Sequence, residues 1–344
     1  MSLVLAYKNF AANRNISHIG LGVAAMNTSK ALRAAGVQAN VLPIVNAADL
    51  HATLSAAPAA RATVQSDQVS HVVISAPWIP SADLQRMTQA HPEVTFAVNC
   101  HSNVGFLQAD ASGVKLFADG MEVERGTHNF RMAGNSAKFA SWAARTYGVP
   151  CAYLPNLYYL DGSEPAHRPV FRGGVLRVGA FGATRALKNL MSAAGAALTI
   201  SRDLDVDLEL WINSGRDEGG AGIICAIQEM YSATRHAKVI LGGWQSWHNH
   251  RKTVARMDLL ISASYTESFN MVTADGIAEG VPSVVSDAID WAPDHWQARA
   301  DDVLDIARVG RALLSDPHAV SDGLAALRAH NAAGLAAWQT YLKG

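Results

Sequence analysis

The segment ESFNMVTADG places two carboxylates, Glu267 and Asp275, eight positions apart between two apolar runs. The run before it, DLLISAS, is typical of a buried parallel strand, and VTADGIAEG predicts a helix that ends at Gly280. The residues between them, YTESFNM, therefore form a loop at the carboxyl edge of a sheet, where open α/β folds bind ligands. The N–H groups and dipole of a helix start at such an edge attract an anion such as phosphate.

A carboxylate at this edge would repel a phosphate, so Glu267 and Asp275 are better suited to accept hydrogen bonds from neutral hydroxyls. Sugars and ribose supply such hydroxyls. The alternative for an isolated pair is that Glu267 is a solvated loop residue and Asp275 a charge in the first turn of the helix. The residues around the pair must decide between these interpretations.

The stretch ESFNMVTADGIAEGVPSVV resembles the signature of retaining glycosyltransferases of the GT-B fold, in particular those of family four. That signature has two acids separated by seven residues, a small residue and a Phe after the first acid, and a GxPVV-like strand after the second. Glu267 and Phe269 match its beginning, and its end is matched by Gly280, Pro282, Val284 and Val285. Asp275 stands where the family usually has Glu, so the ribose contact that the resemblance implies is made differently or weakened.

A second motif agrees with this resemblance. In the family, a glycine turn after the first strand of the second domain precedes an Arg and a Lys that hold the donor diphosphate, and GATRALKN offers Gly182, Arg185 and Lys188 in that place. A guanidinium and an ammonium group both suit phosphate oxygens, and together they could neutralise a leaving diphosphate without a metal. The alternative is a solvated helix start with incidental cations, although basic charge there opposes the helix dipole.

The resemblance also implies the remaining contacts to a donor. Glu267 would orient the donor sugar through its hydroxyls, and we predict Arg185, Lys188 and Glu267 as catalytic residues together with His101. The segment KVILGGWQSW would border the nucleotide base, although Trp244 could equally be a core residue. The predicted donor-binding residues are Gly182, Gly243, Trp244, Phe269, Asn270, Met271, Val272 and Asp275.

The first half of the chain offers fewer signals. Directly after the first predicted strand, NRNISHIGLGVAAM carries Gly20 and Gly22 where the family has a glycine-bearing loop on the acceptor side, and glycine lets backbone approach a ligand closely. A tight strand-to-helix turn explains these glycines almost as well. His101 ends another strand, in VNCHSNVGF, and related enzymes often carry a His facing the donor sugar at this edge; a structural His is the alternative.

Together these motifs predict a glycosyltransferase that moves a sugar from a nucleotide-diphosphate sugar, UDP- or GDP-linked, to an acceptor hydroxyl with retention of anomeric configuration. We expect no cofactor and no catalytic metal. Nucleotide-sugar epimerases and phosphorylases share this architecture and stay open as alternatives, as does a non-catalytic protein that binds a nucleotide or glycan. The acceptor is not readable from the sequence: a saccharide, a lipid, a small molecule or, less expected, modified DNA all fit.

The elements that must position these residues alternate between short apolar runs and Ala-rich segments of helical length. This pattern predicts an α/β protein with two Rossmann-like domains facing across a cleft, the GT-B architecture. We predict an acceptor-side domain over residues 1–160, a linker over 161–174 rich in Pro, Gly and charge, and a donor domain over 175–320. Residues 321–344 are predicted to form a closing helix that packs back on the body.

Composition limits the other possibilities. The 344 residues have a formal net charge of −1, which argues against a dedicated duplex-binding protein. The three cysteines are far apart with no CxxC pair, so neither a disulfide framework nor a zinc knuckle is predicted. The apolar run at the N-terminus is short, and no uninterrupted one reaches the ~20 residues of a spanning helix. We therefore expect a soluble, cytoplasmic protein. The consecutive HNHR at 248–251 does not have the dispersed spacing of nuclease motifs.

Overall fold

The computed structural model describes residues 2–9, 19–56, 69–162, 165 and 170–344. Within these residues the first half of the chain forms a parallel sheet of the strands β1 (Ser2–Lys8), β2 (Gln38–Ile44), β3 (His71–Ser75), β4 (Thr95–Cys100), β5 (Phe130–Gly134) and β6 (Ala152–Tyr153). Their order in the sheet is β2-β1-β3-β4-β5-β6. The helices that connect them are α1 (Ile19–Ala34), α2 (Ala47–Ser55), α3 (Ser81–Ala90), α4 (Val104–Leu107), α5 (Ala111–Gly126) and α6 (Ala137–Tyr147).

The first sheet is buried on both faces, which explains why its strands are continuous apolar runs in the sequence. Side chains alternate along a strand, so Val4 and Ala6 of β1 pack into one hydrophobic cluster while Leu3 and Leu5 pack into another. Strand β1 pairs with both β2 and β3 in parallel register. All carboxyl ends of these strands therefore meet at one edge of the sheet, and His101 follows β4 at that edge.

The second half forms another parallel sheet, of the strands β7 (Val175–Ala180), β8 (Asp207–Asn213), β9 (Ala237–Gly242), β10 (Leu259–Ser262) and β11 (Ser283–Val285). Their order in the sheet is β11-β10-β7-β8-β9. Its helices are α7 (Leu190–Leu204), α8 (Ala221–Ser232), α9 (Trp247–Val254), α10 (Met271–Ala278), α11 (Val303–Ser315) and α12 (Ala319–Lys343), with short 3-10 helices at Ala186–Lys188 and Asp294–Trp296.

The chain divides into two compact units: Met1–Tyr159 with His330–Gly344, and Leu160–Ala329. The predicted closing helix is the long helix α12, which begins at Ala319, so its first residues belong to the second unit and its last to the first. In the first unit the buried Trp338 donates from Nε1 to the carbonyl of Pro155 at 2.9 Å, and Asn331 exchanges hydrogen bonds with the backbone of Tyr158. These contacts fix the end of α12 on the residues that follow β6.

Helices α6 and α1 have well-defined caps. Ser136 accepts a hydrogen bond from the Phe139 amide at the start of α6, and Gly148 ends that helix with φ +63°. Gly36, after α1, also has a left-handed φ of +84°, a conformation that glycine adopts without a steric cost.

None of the helices in the described parts of the chain is both long and apolar enough to span a bilayer.

Candidate functional site

The loop between β10 and α10 carries the two-acid signature, and its shape depends on two residues. Phe269 is 1% exposed and stacks on Trp291, with 5.2 Å between ring centroids, while the Trp291 indole donates to the carbonyl of Phe269 at 2.6 Å. Asn270 adopts φ +69° and caps α10 by accepting from the Thr273 amide at 3.0 Å. A buried aromatic and a left-handed cap therefore set where Glu267 and the start of α10 lie.

Glu267 forms an ion pair with Lys188, which lies 79 positions earlier in the chain. Both side chains are mostly buried, at 11% and 13% exposure. The backbone amide of Tyr265 donates to the carbonyl of Leu187 at 3.0 Å, which joins the two loops that carry the pair. The structure thus brings together the predicted sugar-orienting acid and one of the predicted diphosphate cations.

The turn after β7 is shaped for this pair. Gly182 has φ +124°, and a Cβ there would lie 3.4 Å from Cε of Lys188, so the lysine stem passes directly over the glycine. Lys188 ends a short 3-10 helix that begins at Ala186, and Arg185 is the residue that precedes this helix, so both lie between the glycine turn and α7. Asn189 separates the 3-10 turn from α7, with φ +55° and a side-chain amide that donates to the carbonyl of Ala263 at 2.9 Å.

Arg185 has a partner that the sequence did not reveal. Its guanidinium donates to Glu218 at 2.9 Å, and Arg216 pairs with the other carboxylate oxygen of Glu218. Arg216 and Glu218 belong to NSGRDEGG, which follows β8. The sequence does contain a signal for this loop, since it is charged, contains glycine and follows a parallel strand at its carboxyl end. Glu267 was predicted from a loop at the same edge of the sheet.

Asp275 is 2% exposed on α10, and its carboxylate contacts helix α9. Its Oδ1 accepts from Nε1 of Trp247 at 2.9 Å, and its Oδ2 lies 4.0 Å from Nε2 of His250. Burial lowers the pKa of His250 to about 4, so this imidazole is neutral at pH 7. The His250 ring packs edge-on against Phe181 with 5.1 Å between centroids. Trp247 was not predicted, and His250 is a structural neighbour of the second acid rather than part of a nuclease motif.

The predicted base-side residues follow β9. A Cβ on Gly215, in the loop after β8, would collide with the backbone nitrogen of Trp244, so the two loops touch through their main chains. The guanidinium of Arg216 lies 5.8 Å from the centroid of the Trp244 ring. The Trp244 Nε1 atom is buried and has no hydrogen-bond partner within the described residues. Around Gly243, by contrast, a Cβ would meet open space.

In the first unit, Gly20 and Gly22 lie in the opening residues of helix α1 and not on a loop as predicted. A Cβ on Gly22 would lie 3.1 Å from the Tyr7 ring, so this glycine lets α1 approach the end of β1. The residues between Asn9 and Ile19, where the predicted loop falls, lie outside the described residues. Burial lowers the pKa of His101 to about 4, so its imidazole is also neutral at pH 7.

One group of metal-ligating side chains occurs within the described residues. Ligand atoms of His295, Asp316 and Asp322 all lie within 4.8 Å of one another, at partly or largely exposed positions. None of these three belongs to the predicted site.

No protein-family model matches this sequence, and a search of curated protein sequences finds no match. Solved structures do match the fold. TarM aligns with a TM-score of 0.59 and 14% identity over 80% of this chain, and this chain spans 55% of TarM. A TarM variant has been solved in complex with fondaparinux, alpha-GlcNAc-glycerol and UDP.

Two other matches extend over the whole chain. Sucrose-phosphate synthase from Thermosynechococcus elongatus has a TM-score of 0.61 and 14% identity, covering 99% of this chain and 98% of that one. The trehalose-6-phosphate synthase OtsA has a TM-score of 0.64 and 10% identity, covering 100% and 99%. At these identities the likeness shows the fold. The predicted fold class, an α/β protein with two parallel sheets and flanking helices as in GT-B glycosyltransferases, is confirmed.

Proposed function

We propose that the protein transfers a sugar from a UDP- or GDP-linked donor to an acceptor hydroxyl, with retention at the anomeric carbon. The observation that carries this proposal is the ion pair between Lys188 and Glu267 at the carboxyl edge of the second sheet. A cation for a diphosphate and a carboxylate for sugar hydroxyls must lie side by side in such a site, and these two residues do.

In this proposal the chain's own groups stabilise the leaving diphosphate. Arg185, Lys188 and the N-terminus of α10 receive the negative charge that grows as the sugar–phosphate bond breaks, which is electrostatic stabilisation by groups already in place. Glu267 accepts hydrogen bonds from the sugar hydroxyls and orients the ring. The acceptor hydroxyl then attacks the anomeric carbon on the face that the diphosphate leaves, and its proton passes to an oxygen of the leaving diphosphate.

The resident ion pair has a consequence for donor binding. Because Lys188 is already neutralised by Glu267, an incoming phosphate must compete with a carboxylate that is largely shielded from water. The free energy gained on binding is therefore the difference between the contact of Lys188 with phosphate and its contact with Glu267, which is smaller than the free energy of the phosphate contact alone. The sugar hydroxyls that replace Lys188 beside Glu267 keep the acid hydrogen-bonded.

Calorimetry with a panel of UDP-, GDP- and ADP-sugars tests the donor site. We expect one nucleotide to bind, and Arg185→Ala and Lys188→Ala each to weaken it by about tenfold or more, since each removes a charge-assisted contact. Arg235→Ala, which removes an exposed cation of the same unit, is the matched control and should bind as the unaltered protein does. Equal binding by all four proteins would show that the donor site lies elsewhere.

The reaction itself is tested with the donor that binds. Mass spectrometry against a mixed library of saccharide, lipid, small-molecule and hydroxymethylated-DNA acceptors should reveal a donor-dependent product. The anomeric proton coupling of that product should match that of the donor sugar, and an inverted product would refute retention. A changed sugar without any acceptor would indicate an epimerase instead, while binding without turnover would indicate a recognition protein. Addition of EDTA should leave the rate unchanged if the reaction needs no metal.

A further inference from the structure

The loop after β8 is joined to the turn after β7 through its backbone. The amide and the hydroxyl of Thr184 both donate to the carbonyl of Arg216 at 3.0 Å, and the amide of Glu218 donates to the carbonyl of Thr184 at 2.9 Å. The close approach of Gly220 to the Thr184 backbone leaves no room for a side chain there. These contacts hold the loop at the edge of the sheet without using the side chains of Arg216 and Glu218.

The side chains of this loop bring a further cation to the edge. Glu218 accepts from Arg185 through one oxygen and from Arg216 through the other, so one carboxylate serves two guanidinium groups. All three side chains are about a quarter exposed, at 26%, 23% and 28% for Arg185, Arg216 and Glu218. They therefore stay within reach of a ligand, and the two guanidinium groups share one carboxylate.

Arg216 also contacts the base side of the predicted site. Its guanidinium lies 5.8 Å from the Trp244 ring centroid, within the range of a cation–π contact. The residue is thus adjacent both to Arg185, a predicted diphosphate cation, and to Trp244, one of the predicted donor-binding residues. In a nucleotide-sugar the diphosphate joins the nucleoside to the sugar, so a cation between these two regions lies where the diphosphate would run.

We propose that Arg216 is a third cation of the diphosphate site and that Glu218 is the resident carboxylate which the diphosphate displaces. This inference rests on the proposed function. A diphosphate presents several oxygens to two planar guanidinium groups, each able to bind in a bidentate manner, whereas Glu218 presents only two. When the diphosphate displaces Glu218, the two arginines face more than one negative charge instead of one, which favours the bound state.

A purely structural role for Glu218 predicts the opposite effects from its removal. If Glu218 served to hold the loop, neutralising it would loosen the loop and weaken any ligand. If Glu218 competes with the ligand, neutralising it releases two arginines and strengthens binding of an anion. The direction of the change therefore separates the two roles.

The experiment measures binding of UDP, of inorganic pyrophosphate and of uridine, which lacks phosphate, by calorimetry at two salt concentrations. Arg216→Gln should weaken UDP by about tenfold and uridine much less, because uridine lacks the phosphates that Arg216 would contact. Glu218→Gln, which keeps the size of the side chain and one acceptor oxygen, should strengthen UDP and pyrophosphate by about threefold or more and steepen their salt dependence. Arg216→Lys should retain part of the affinity.

Arg235→Gln is the matched control for the loss of an arginine, and a melting curve for each variant shows that it is folded. Unchanged UDP binding by folded Arg216→Gln would overturn the inference, as would weaker UDP binding by Glu218→Gln. If the donor is GDP- or ADP-linked, the same nucleotide diphosphate and its nucleoside replace UDP and uridine. Failure of every nucleotide to bind the unaltered protein would refute the proposed function itself, whereas binding that ignores Arg216 would refute only this inference.

Discussion

Replacement of Trp247 by Phe tests whether the indole stabilises the buried Asp275 carboxylate. The change removes the Nε1–H group that donates to Oδ1 at 2.9 Å and keeps an aromatic ring in its place. The nearby His250 supplies no charge at pH 7, because burial lowers its pKa to about 4. A hydrogen bond to a charged group is worth about 1.5–3 kcal/mol, so we expect the second unit to lose about 2 kcal/mol of unfolding free energy.

For a unit of this size, that loss corresponds to a decrease in melting temperature of about 4–8 °C. The matched control is Trp211→Phe, because the Trp211 indole also donates to a carboxylate, that of Glu209, at 3.3 Å. Glu209 keeps Lys238 at 3.0 Å and Arg177 at 3.2 Å after the substitution. The control should therefore cost less than about 1 kcal/mol.

Thermal and urea unfolding, followed by circular dichroism under identical conditions for both variants, provide the comparison. Asp275→Asn keeps an oxygen that can accept from the indole but removes the charge. Combined with Trp247→Phe, it should show a coupling free energy of about 1 kcal/mol or more in a double-mutant cycle. Equal losses from Trp247→Phe and Trp211→Phe, together with no coupling, would refute the reasoning that the carboxylate depends on this donor.

Three further predictions concern other parts of the chain. Burial raises the pKa of Glu124 from 4.5 to about 7, so the folded state binds the carboxyl proton more tightly than the unfolded state does. The contribution of Glu124 to the free energy of unfolding therefore falls by about 3 kcal/mol as pH rises through that interval. In Glu124→Gln, the urea midpoint should depend less on pH between pH 5 and 8. His250 should give the NMR signals of a neutral imidazole at pH 5.5, because burial lowers its pKa from 6.5 to about 4. The stability that the buried neutral ring contributes is lost as pH falls from 6.5 towards 4. A charged ring at pH 5.5 would contradict this reasoning. Gly215→Ala should force the backbone of Trp244 away, cost about 1–3 kcal/mol in a thermal melt and weaken nucleotide binding. Gly243→Ala faces open space and should leave the melting temperature unchanged.

The sheet strands were predictable because of where they lie. A parallel strand that is buried on both faces is a short, continuous apolar run, and the run DLLISAS corresponds in this way to the buried strand β10. Since parallel strands end at a common edge, the loop with Glu267 could also be assigned to that edge from the order of apolar runs alone. The position of His101 after β4 follows from the same reasoning.

Backbone detail at the site was less predictable. The 3-10 turn that holds Arg185 and Lys188 depends on the left-handed Asn189 and on its hydrogen bond to Ala263, a residue 74 positions away. Local helix propensity carries no record of such a contact, so the sequence did not predict this 3-10 turn. Gly20 was assigned to a loop for a related reason, since glycine marks either a turn or a close approach.

By itself the sequence determined the two parallel sheets, the edge that carries the two-acid loop and the residue types available there, because periodicity and spacing are local properties of the chain. Only the tertiary structure decided which charges meet. The pairing of Lys188 with Glu267, the placement of Glu218 between two arginines and the burial of Asp275 against Trp247 all follow from strand order and loop contacts. Those depend on packing between segments that lie 28 to 79 positions apart in the chain, which no local pattern encodes.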